Sequence, residues 1–356
     1  MPKIPYFLGA NSPQGFYSLY DQLIDVEQAR AVYILKGGPG CGKSTLMRCV
    51  ADRAEQLGHT VERILCSGDP DSLDAVVIPE LGAALVDGTA PHVVEPRYPG
   101  AVEHYVNLET CYNAKALHPL LPQLRQSMTG YKDCYNRAYR ALSAAGQLME
   151  ESRLTLLTQN TLNKLRKRAS GILSRECRRK KNAQPGRVVQ RFLSAITHKG
   201  PVCHYDTAFA QCSRIYELSD SYRLSHIMLS YLLSGFTQAG YNVVACPDPM
   251  FPQQPQHLLI PQLSLAFLSC PAGVSLPQKP YRRIRLDAMP EAELVRLHRP
   301  QLRFSARIAR SLTEDAVQSL TQAKDMHDRL EAIYNPHVDF NGVNEAADSL
   351  ADVILT

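Results

Sequence analysis

The stretch that decides the fold is residues 31–49, which read AVYILKGGPGCGKSTLMRC. It opens with a short apolar, β-branched run, Ala31 to Leu35, which is typical of a buried parallel strand. A helix-compatible stretch, Thr45 to Gln56, follows with apolar residues recurring on one side. Because the segment between them is rich in glycine, the pattern predicts a strand, a tight loop and a helix in that order.

The loop, Gly37 to Ser44, satisfies the pattern G-x-x-x-x-G-K-[ST]. Its glycines let the backbone wrap closely around phosphates, and the helix start adds the positive end of its dipole. Lys43 is expected to reach the β- and γ-phosphates of a nucleotide, and the Ser44 hydroxyl is expected to bind Mg²⁺. The sequence lacks an Asn-Lys-x-Asp signal for guanine, which favours ATP. The predicted nucleotide contacts are Gly37, Gly38, Pro39, Gly40, Cys41, Gly42, Lys43, Ser44 and Thr45.

A nucleotide-bound Mg²⁺ also requires an acidic residue at the end of a neighbouring strand. The apolar run 81–86 ends at Asp87, which is therefore the predicted metal-orienting residue. Asp87 and Lys43 form the predicted catalytic pair, with Ser44 as the second metal ligand. Asp74, at the end of an acidic loop, and Glu80 are alternatives for the role of Asp87.

The sequence leaves open which residue would activate water, with Glu80 and His92 as candidates. Arg48 and Arg97 are available as arginine fingers, although surface or packing roles are favoured for both. Cys41 lies close to a helix start, where the pKa of a thiol can fall. An inert small residue is the favoured interpretation at that position of the pattern.

The chain also repeats itself at long period. Residues 7–15, FLGANSPQG, resemble residues 192–200, FLSAITHKG, and residues 77–81, VIPEL, match residues 259–263, LIPQL. Because these blocks occur in the same order, the sequence predicts two homologous α/β halves.

The second half has lost the chemical groups of the first. Residues 218–225, LSDSYRLS, stand opposite the glycine-rich loop and set Leu224 opposite Lys43. At an offset of 182 residues (269 minus 87), Ser269 replaces Asp87, and both alternative acids become glutamines. Joint loss is expected if these residues served one bound Mg-nucleotide, so the second half is predicted to bind none.

The chain resembles an uncharacterised bacterial family of duplicated P-loop ATPases in four stretches, which read FLGANSPQGFYSLYD (7–21), ILKGGPGCGKSTLM (34–47), VVIPELGAALVDGTAPH (76–92) and DMHDRLEAIYNPHVDF (325–340). The resemblance covers both halves and implies a P-loop NTPase fold and ATP binding, but no substrate. Members of that family often carry a P-loop in each half. This sequence departs from them in the second half, which argues against a two-site ATPase cycle.

The overall composition limits the class of protein to which the chain can belong. The chain has 356 residues, 45% hydrophobic and 21% charged, with a formal net charge of +5, as expected for two globular domains or one enlarged domain. Its 10 cysteines are scattered without metal-binding spacing, and its start lacks a signal-like apolar stretch, so a reducing cytoplasmic setting is expected. The longest apolar run, Leu258 to Cys270, is broken by Pro261 and is too short to cross a bilayer.

Long helices are predicted at 131–148, 154–173 and 311–332. Eleven Lys/Arg residues and one acid lie between Lys164 and Arg191. We expect this basic stretch, residues 164–191, to be a solvated helical face, with a nucleic-acid contact or a docking patch for an acidic protein as alternatives. The predicted domains are 1–118 (active P-loop half), 119–190 (basic helical insertion), 191–290 (degenerate half) and 291–356 (helical C-terminal segment).

Together these patterns predict an α/β protein of P-loop NTPase fold with mostly parallel sheets. The leading function is slow, Mg²⁺-dependent ATP hydrolysis coupled to a conformational or partner-binding event. A nucleotide or small-molecule kinase is one alternative, recognised by transfer of labelled phosphate to an acceptor. A non-enzymatic nucleotide switch on nucleic acid is the other, recognised by tight binding without turnover.

Overall fold

The computed structural model describes residues 4–178 and 184–356, and within these ranges the chain forms sixteen strands. The first half contributes β1 (Ile4–Phe7), β2 (Gly9–Ser12), β3 (Gly15–Ser18), β4 (Ala31–Lys36), β5 (Glu62–Leu65), β6 (Leu73–Ile78), β7 (Ala83–Asp87) and β8 (Glu103–Asn107). The second half contributes β9 (Val188–Gln190), β10 (Ser194–Thr197), β11 (Gly200–Cys203), β12 (Arg214–Ser219), β13 (Val243–Asp248), β14 (Phe251–Ile260), β15 (Leu265–Cys270) and β16 (Arg282–Arg285).

These strands form two six-stranded sheets and two hairpins. The first sheet has the order β1-β5-β6-β7-β4-β8, and the second has the order β9-β13-β14-β15-β12-β16. In both sheets the third strand in this order is antiparallel to its two neighbours, and the remaining pairs are parallel. The predicted α/β class with mostly parallel strands is therefore confirmed.

Eight helices accompany the sheets within the described ranges: α1 (Lys43–Gln56), α2 (Ala114–Leu117), α3 (Leu121–Leu156), α4 (Gln159–Glu176), α5 (Tyr205–Gln211), α6 (Ser225–Gln238), α7 (Ala292–Tyr334) and α8 (Phe340–Leu355). The helix predicted from Thr45 begins two residues earlier, and the helices predicted at 131–148 and 311–332 extend in both directions as α3 and α7. The helix predicted at 154–173 is divided, because residues 154–156 end α3 and α4 begins at Gln159. Across the described part of the chain, no helix is long and apolar enough to span a membrane.

The helices that follow each sheet pack on the other half. The antiparallel helices α3 and α7 share a core of small and apolar residues, among them Ala138, Ala145 and Ala316. Beyond them, α4 packs on α6 over the second sheet, and α8 packs on α1 over the first. The helices predicted as a separate insertion, residues 119–190, are thus divided between the α3–α7 pair and the second sheet, to which β9 also belongs.

The basic stretch is described only in part, because residues 179–183 lie outside the described ranges. Arg166, Lys167 and Arg168 are exposed on α4. The side chain of Arg166 is held by Tyr231 of α6 through a hydrogen bond to its hydroxyl.

The two halves meet across a shared apolar core. Phe7 and Phe192, which the sequence comparison sets opposite each other, form a reciprocal β-bridge in which each N–H donates to the other carbonyl at 2.9 Å. Both side chains are fully buried, and residues from both sheets pack around them. The hydrogen bonds at this contact thus run in both directions between the two halves.

Candidate functional site

The glycine-rich loop joins β4 to α1 at the carboxyl edge of the first sheet. β4 ends at Lys36 and α1 begins at Lys43, and β7 and β8 flank β4 as parallel neighbours. Gly40 and Gly42 have φ angles of 71° and 83°, a left-handed backbone that is costly for residues with a Cβ. The loop conformation therefore depends on glycine at these two positions.

Lys43 bridges the loop to the neighbouring strand. Its Nζ donates to Gly37 O at 2.6 Å and to Gly38 O at 2.8 Å, and it lies 3.6 Å from Asp87 Oδ2. The Lys43 and Asp87 side chains are 10% and 15% exposed, so salt screens their attraction less than it screens a surface pair. The two residues predicted as a catalytic pair thus lie together.

Asp87 and Ser44 are each fixed by further hydrogen bonds. Asp87 is the last residue of β7, and its Oδ1 accepts the N–H and the hydroxyl of Thr89 at 2.9 and 2.6 Å. Its Oδ2 therefore remains for Lys43. The Ser44 hydroxyl accepts the N–H of Leu73 at 2.9 Å. The predicted metal ligands consequently lie at the same edge of the sheet.

The two alternative acids lie at opposite edges of the sheet because β6 runs antiparallel to β7. Asp74, near the start of β6, lies at the loop edge. Glu80 follows the other end of β6, where its carboxylate contacts His59 and Thr60. The hydrogen bonds from Thr60 lower the pKa of this exposed carboxyl. Glu80 therefore lies away from the loop, where it can neither bind a metal at the loop nor activate water there.

Asp74 is the centre of a buried cluster beside the loop. Its Oδ2 accepts the Tyr20 hydroxyl at 2.8 Å and lies 3.2 Å from His92 Nε2. Burial raises the pKa of the Asp74 carboxyl, and nearby His92 opposes that rise. Burial likewise raises the pKa of the Cys66 thiol, with a further rise caused by Asp74. The sequence singled out Asp74 and His92, but no local pattern linked them to Tyr20 or Cys66.

The outer face of the loop is covered by distant parts of the chain. Tyr112 donates its hydroxyl to Pro39 O at 3.1 Å. Asn335, with its amide nitrogen turned toward the loop, donates to Gly40 O at 3.0 Å. Sequence reasoning missed both residues, because each reaches the loop through tertiary folding and has no motif of its own.

The remaining candidates at the loop have ordinary structural positions. Cys41 is 1% exposed, with its sulfur 3.8 Å from Lys43 Nζ, and Thr45 is exposed. Arg48 donates to a backbone carbonyl at 2.5 Å, and Arg97 lines a cleft near the amino end of β4. No arginine finger is therefore assigned from these residues.

The corresponding corner of the second sheet is closed by its own side chains. The loop 220–224 between β12 and α6 is one residue shorter than the loop 37–42. Asp220 accepts the N–H groups of Leu224 and Ser225 at 2.8 and 2.7 Å. The Ser225 hydroxyl donates to Ser269 Oγ at 3.1 Å. A carboxylate therefore already lies at the start of α6, where a helix favours negative charge.

This geometry shifts the sequence alignment at the loop by one residue. The first residue of α6 is Ser225, so Ser225, rather than Leu224, takes the place of Lys43. Ser269 keeps its position opposite Asp87, since both residues lie next to the corresponding loop strand. The ion pair of the first corner thus corresponds to a pair of hydroxyl groups in the second. Comparison with protein-family models, curated proteins and solved structures found no match to this chain.

Proposed function

We propose that the chain binds Mg-ATP at the glycine-rich loop and hydrolyses it slowly. The observation that carries the proposal is the juxtaposition of Lys43 and Asp87 at the carboxyl ends of two adjacent parallel strands, beside two left-handed glycines. Lys43 would exchange its two loop carbonyls for phosphate oxygens, and Ser44 and Asp87 would hold Mg²⁺. The loop and helix start would supply N–H donors to the phosphates.

The matching strand order of the two sheets supports an origin by duplication, and the strand–loop–helix arrangement around Lys43 supports a P-loop NTPase fold, in line with the resemblance to tandem P-loop ATPases. In this proposal the second half is a non-binding partner, because Asp220 occupies the start of α6. The end of α7 contacts the loop through Asn335, and α7 runs beside α3. Nucleotide state would therefore be coupled to the position of these long helices.

The test is phosphate release from Mg-ATP by the wild type, Lys43→Ala and Lys132→Ala, a lysine exposed on α3. We expect Lys43→Ala to lower the rate on the order of 10²-fold, because it removes a charge that stabilises the transition state. Lys132→Ala should keep the wild-type rate. Asp87→Asn should retain binding of a fluorescent ATP analogue but lose its dependence on Mg²⁺.

Equal rates in the wild type and Lys43→Ala would contradict the assignment of this loop. Binding of the ATP analogue without turnover would instead favour the switch or the kinase. Labelled phosphate on an added nucleoside or metabolite would then identify the kinase.

A further inference from the structure

Three side chains with metal-binding atoms converge in the buried cluster around Asp74. The Cys66 sulfur, a carboxylate oxygen of Asp74 and a ring nitrogen of His92 all lie within 4.8 Å of one another. They come from three separate segments: the end of β5, the start of β6 and the loop after β7. Ligand atoms of a tetrahedral ion with bonds of about 2.0–2.3 Å stand about 3.3–3.8 Å apart. Small side-chain rotations would therefore bring all three atoms onto one ion.

Among the described residues, the Asp74 carboxylate has no permanently charged ion-pair partner. Asp74 is 5% exposed, and among the described residues its ion-pair partner is His92, which is charged only when protonated. A buried carboxylate is costly unless a cation or several donors compensate it. A divalent cation bound between the carboxylate and the thiolate would provide that compensation directly.

The His92 ring is held in the cluster mainly by aromatic packing. Its side chain is 7% exposed, and its Nδ1 has no hydrogen-bond partner within the described ranges. The ring packs against Phe16 and Tyr20, with centroids 5.1 and 4.8 Å away. A bond from Nε2, the ring nitrogen that lies 3.2 Å from Asp74 Oδ2, to a metal would fix the orientation of the ring.

We propose that Cys66, Asp74 and His92 form a binding site for one divalent transition-metal ion of the Zn²⁺ class. The mixture of sulfur, nitrogen and oxygen ligands suits Zn²⁺ or Co²⁺ and not Mg²⁺, which takes oxygen ligands. Three protein ligands are also the number found in zinc sites that keep one position open. Tyr20 is a positioning residue, because its hydroxyl orients the Asp74 carboxylate.

This site is distinct from the proposed nucleotide site. The Mg²⁺ proposed there would bind Ser44 and Asp87, whereas none of the three ligands in the cluster belongs to the glycine-rich loop. The metal site therefore does not depend on ATP binding. Its test uses no nucleotide, so either proposal can fail while the other stands.

The experiment titrates the full-length, chelator-treated protein with Co²⁺ alone and follows its visible and near-ultraviolet absorption. We expect one Co²⁺ per chain, tetrahedral ligand-field bands and a thiolate-to-cobalt charge-transfer band, all removed by added Zn²⁺. A wild-type protein without the charge-transfer band, or with no stoichiometric binding, overturns the proposal. This result needs no variant and so does not depend on how a variant folds.

Variants then identify the ligands. Cys66→Ser should lose the charge-transfer band, and His92→Gln and Tyr20→Phe should each weaken Co²⁺ binding about 10-fold or more. The matched control is Cys49→Ser, a partly buried thiol on α1 outside the cluster, which should keep both the band and the affinity. Retention of the band in folded Cys66→Ser, checked by circular dichroism, would also overturn the assignment.

Discussion

The two strand–loop–helix corners of the molecule differ in what lies at the start of the helix. At the first corner, a glycine-rich loop precedes α1, and Lys43 lies across it beside Asp87. At the second corner, the Asp220 carboxylate accepts two N–H groups at the start of α6. The difference teaches that, in the same backbone arrangement, the free N–H groups at a helix start can either bind an external anion or be satisfied by a side chain of the protein.

The residues behind the two loops also differ in charge. The Lys43–Asp87 ion pair of the first corner has charged groups, whereas Ser225 and Ser269 in the second corner are neutral hydroxyls. Behind them, His257 Nδ1 accepts the N–H of Ser269 at 3.1 Å. The second corner should consequently be sensitive to acid and indifferent to nucleotide.

The largest expected effect is the acid sensitivity conferred by His257. Complete burial lowers the pKa of His257 to about 3, from an ordinary value of 6.5. Between these values the unfolded chain binds the extra proton, so the free energy of unfolding falls as the pH falls from 6.5 toward 3. From pH 6.5 to 4 the loss from this group should be about 3 kcal/mol.

Urea unfolding of the wild type and His257→Gln at several pH values measures this effect. The variant should show a smaller loss of stability on acidification, whatever its stability at neutral pH. His298→Gln, at a partly exposed histidine on α7, serves as the control and should follow the wild type. Parallel pH profiles for the wild type and His257→Gln would mean that His257 is not the group responsible.

A smaller effect is expected from opening the second corner by Asp220→Ala. The substitution leaves the N–H groups of Leu224 and Ser225 without their side-chain acceptor and should lower the free energy of unfolding by about 2 kcal/mol. Asp133→Ala, at an exposed residue of α3, should change it by less than about 0.5 kcal/mol. Because the chain has no Trp, denaturant unfolding is followed by far-ultraviolet circular dichroism. This measurement gives the free energy of unfolding of both variants.

The same Asp220→Ala protein should bind the ATP analogue as tightly as the wild type. A marked loss of nucleotide affinity would contradict the proposal that only the first corner binds nucleotide. Unchanged stability would show instead that water replaces the Asp220 carboxylate at no cost.

The smallest effects concern left-handed residues in the two loops. Gly40→Ala forces a Cβ into a backbone with φ of 71° and to within 2.4 Å of the Asn335 amide, so it should lower stability by about 1 kcal/mol or more. Arg223, with φ of 57°, is the opposite case. Arg223→Gly relieves backbone strain but removes an ion pair with Asp248, so its net effect should stay below about 1 kcal/mol.

Thermal unfolding of the two variants side by side compares the loops directly. Gly40→Leu would enlarge the clash and should lower stability further. A Gly40→Ala protein as stable as the wild type would indicate that the α7 end moves away from the loop at little cost.

Local sequence was enough to predict the strand, loop and helix around Gly37 to Ser44, because each element there follows from adjacent residues. The position of Asp87 at the end of a strand was also predictable from the sequence, since an apolar run ends at it. Glu80, an alternative for the role of Asp87, lies away from the loop because β6 runs antiparallel to β7. The sequence alone does not reveal the direction of a strand in its sheet. The Leu224 alignment failed by one residue because a shorter loop shifts the register between a strand and the helix after it.

The contacts that complete the site lay beyond sequence reasoning for a different reason. Tyr112 and Asn335 reach the loop from segments far along the chain, and neither has a recognisable pattern around it. The cluster of Cys66, Asp74 and His92 likewise forms only when three segments assemble. No role was assigned to Cys66, Tyr112 or Asn335 from the sequence, because only the fold brings these residues to the cluster and to the loop.

The packing of α8 on α1 has a consequence for biosynthesis. Ala347, Ala351 and Ile354 complete the core beneath Leu46 and Val50, although they are translated roughly 300 residues later (354 minus 46 is 308). The helix after the glycine-rich loop therefore leaves the ribosome long before the residues that cover it. The core beside α1 is therefore expected to be incomplete until α8 has been synthesised, and we expect the amino-terminal sheet to reach its final packing only then.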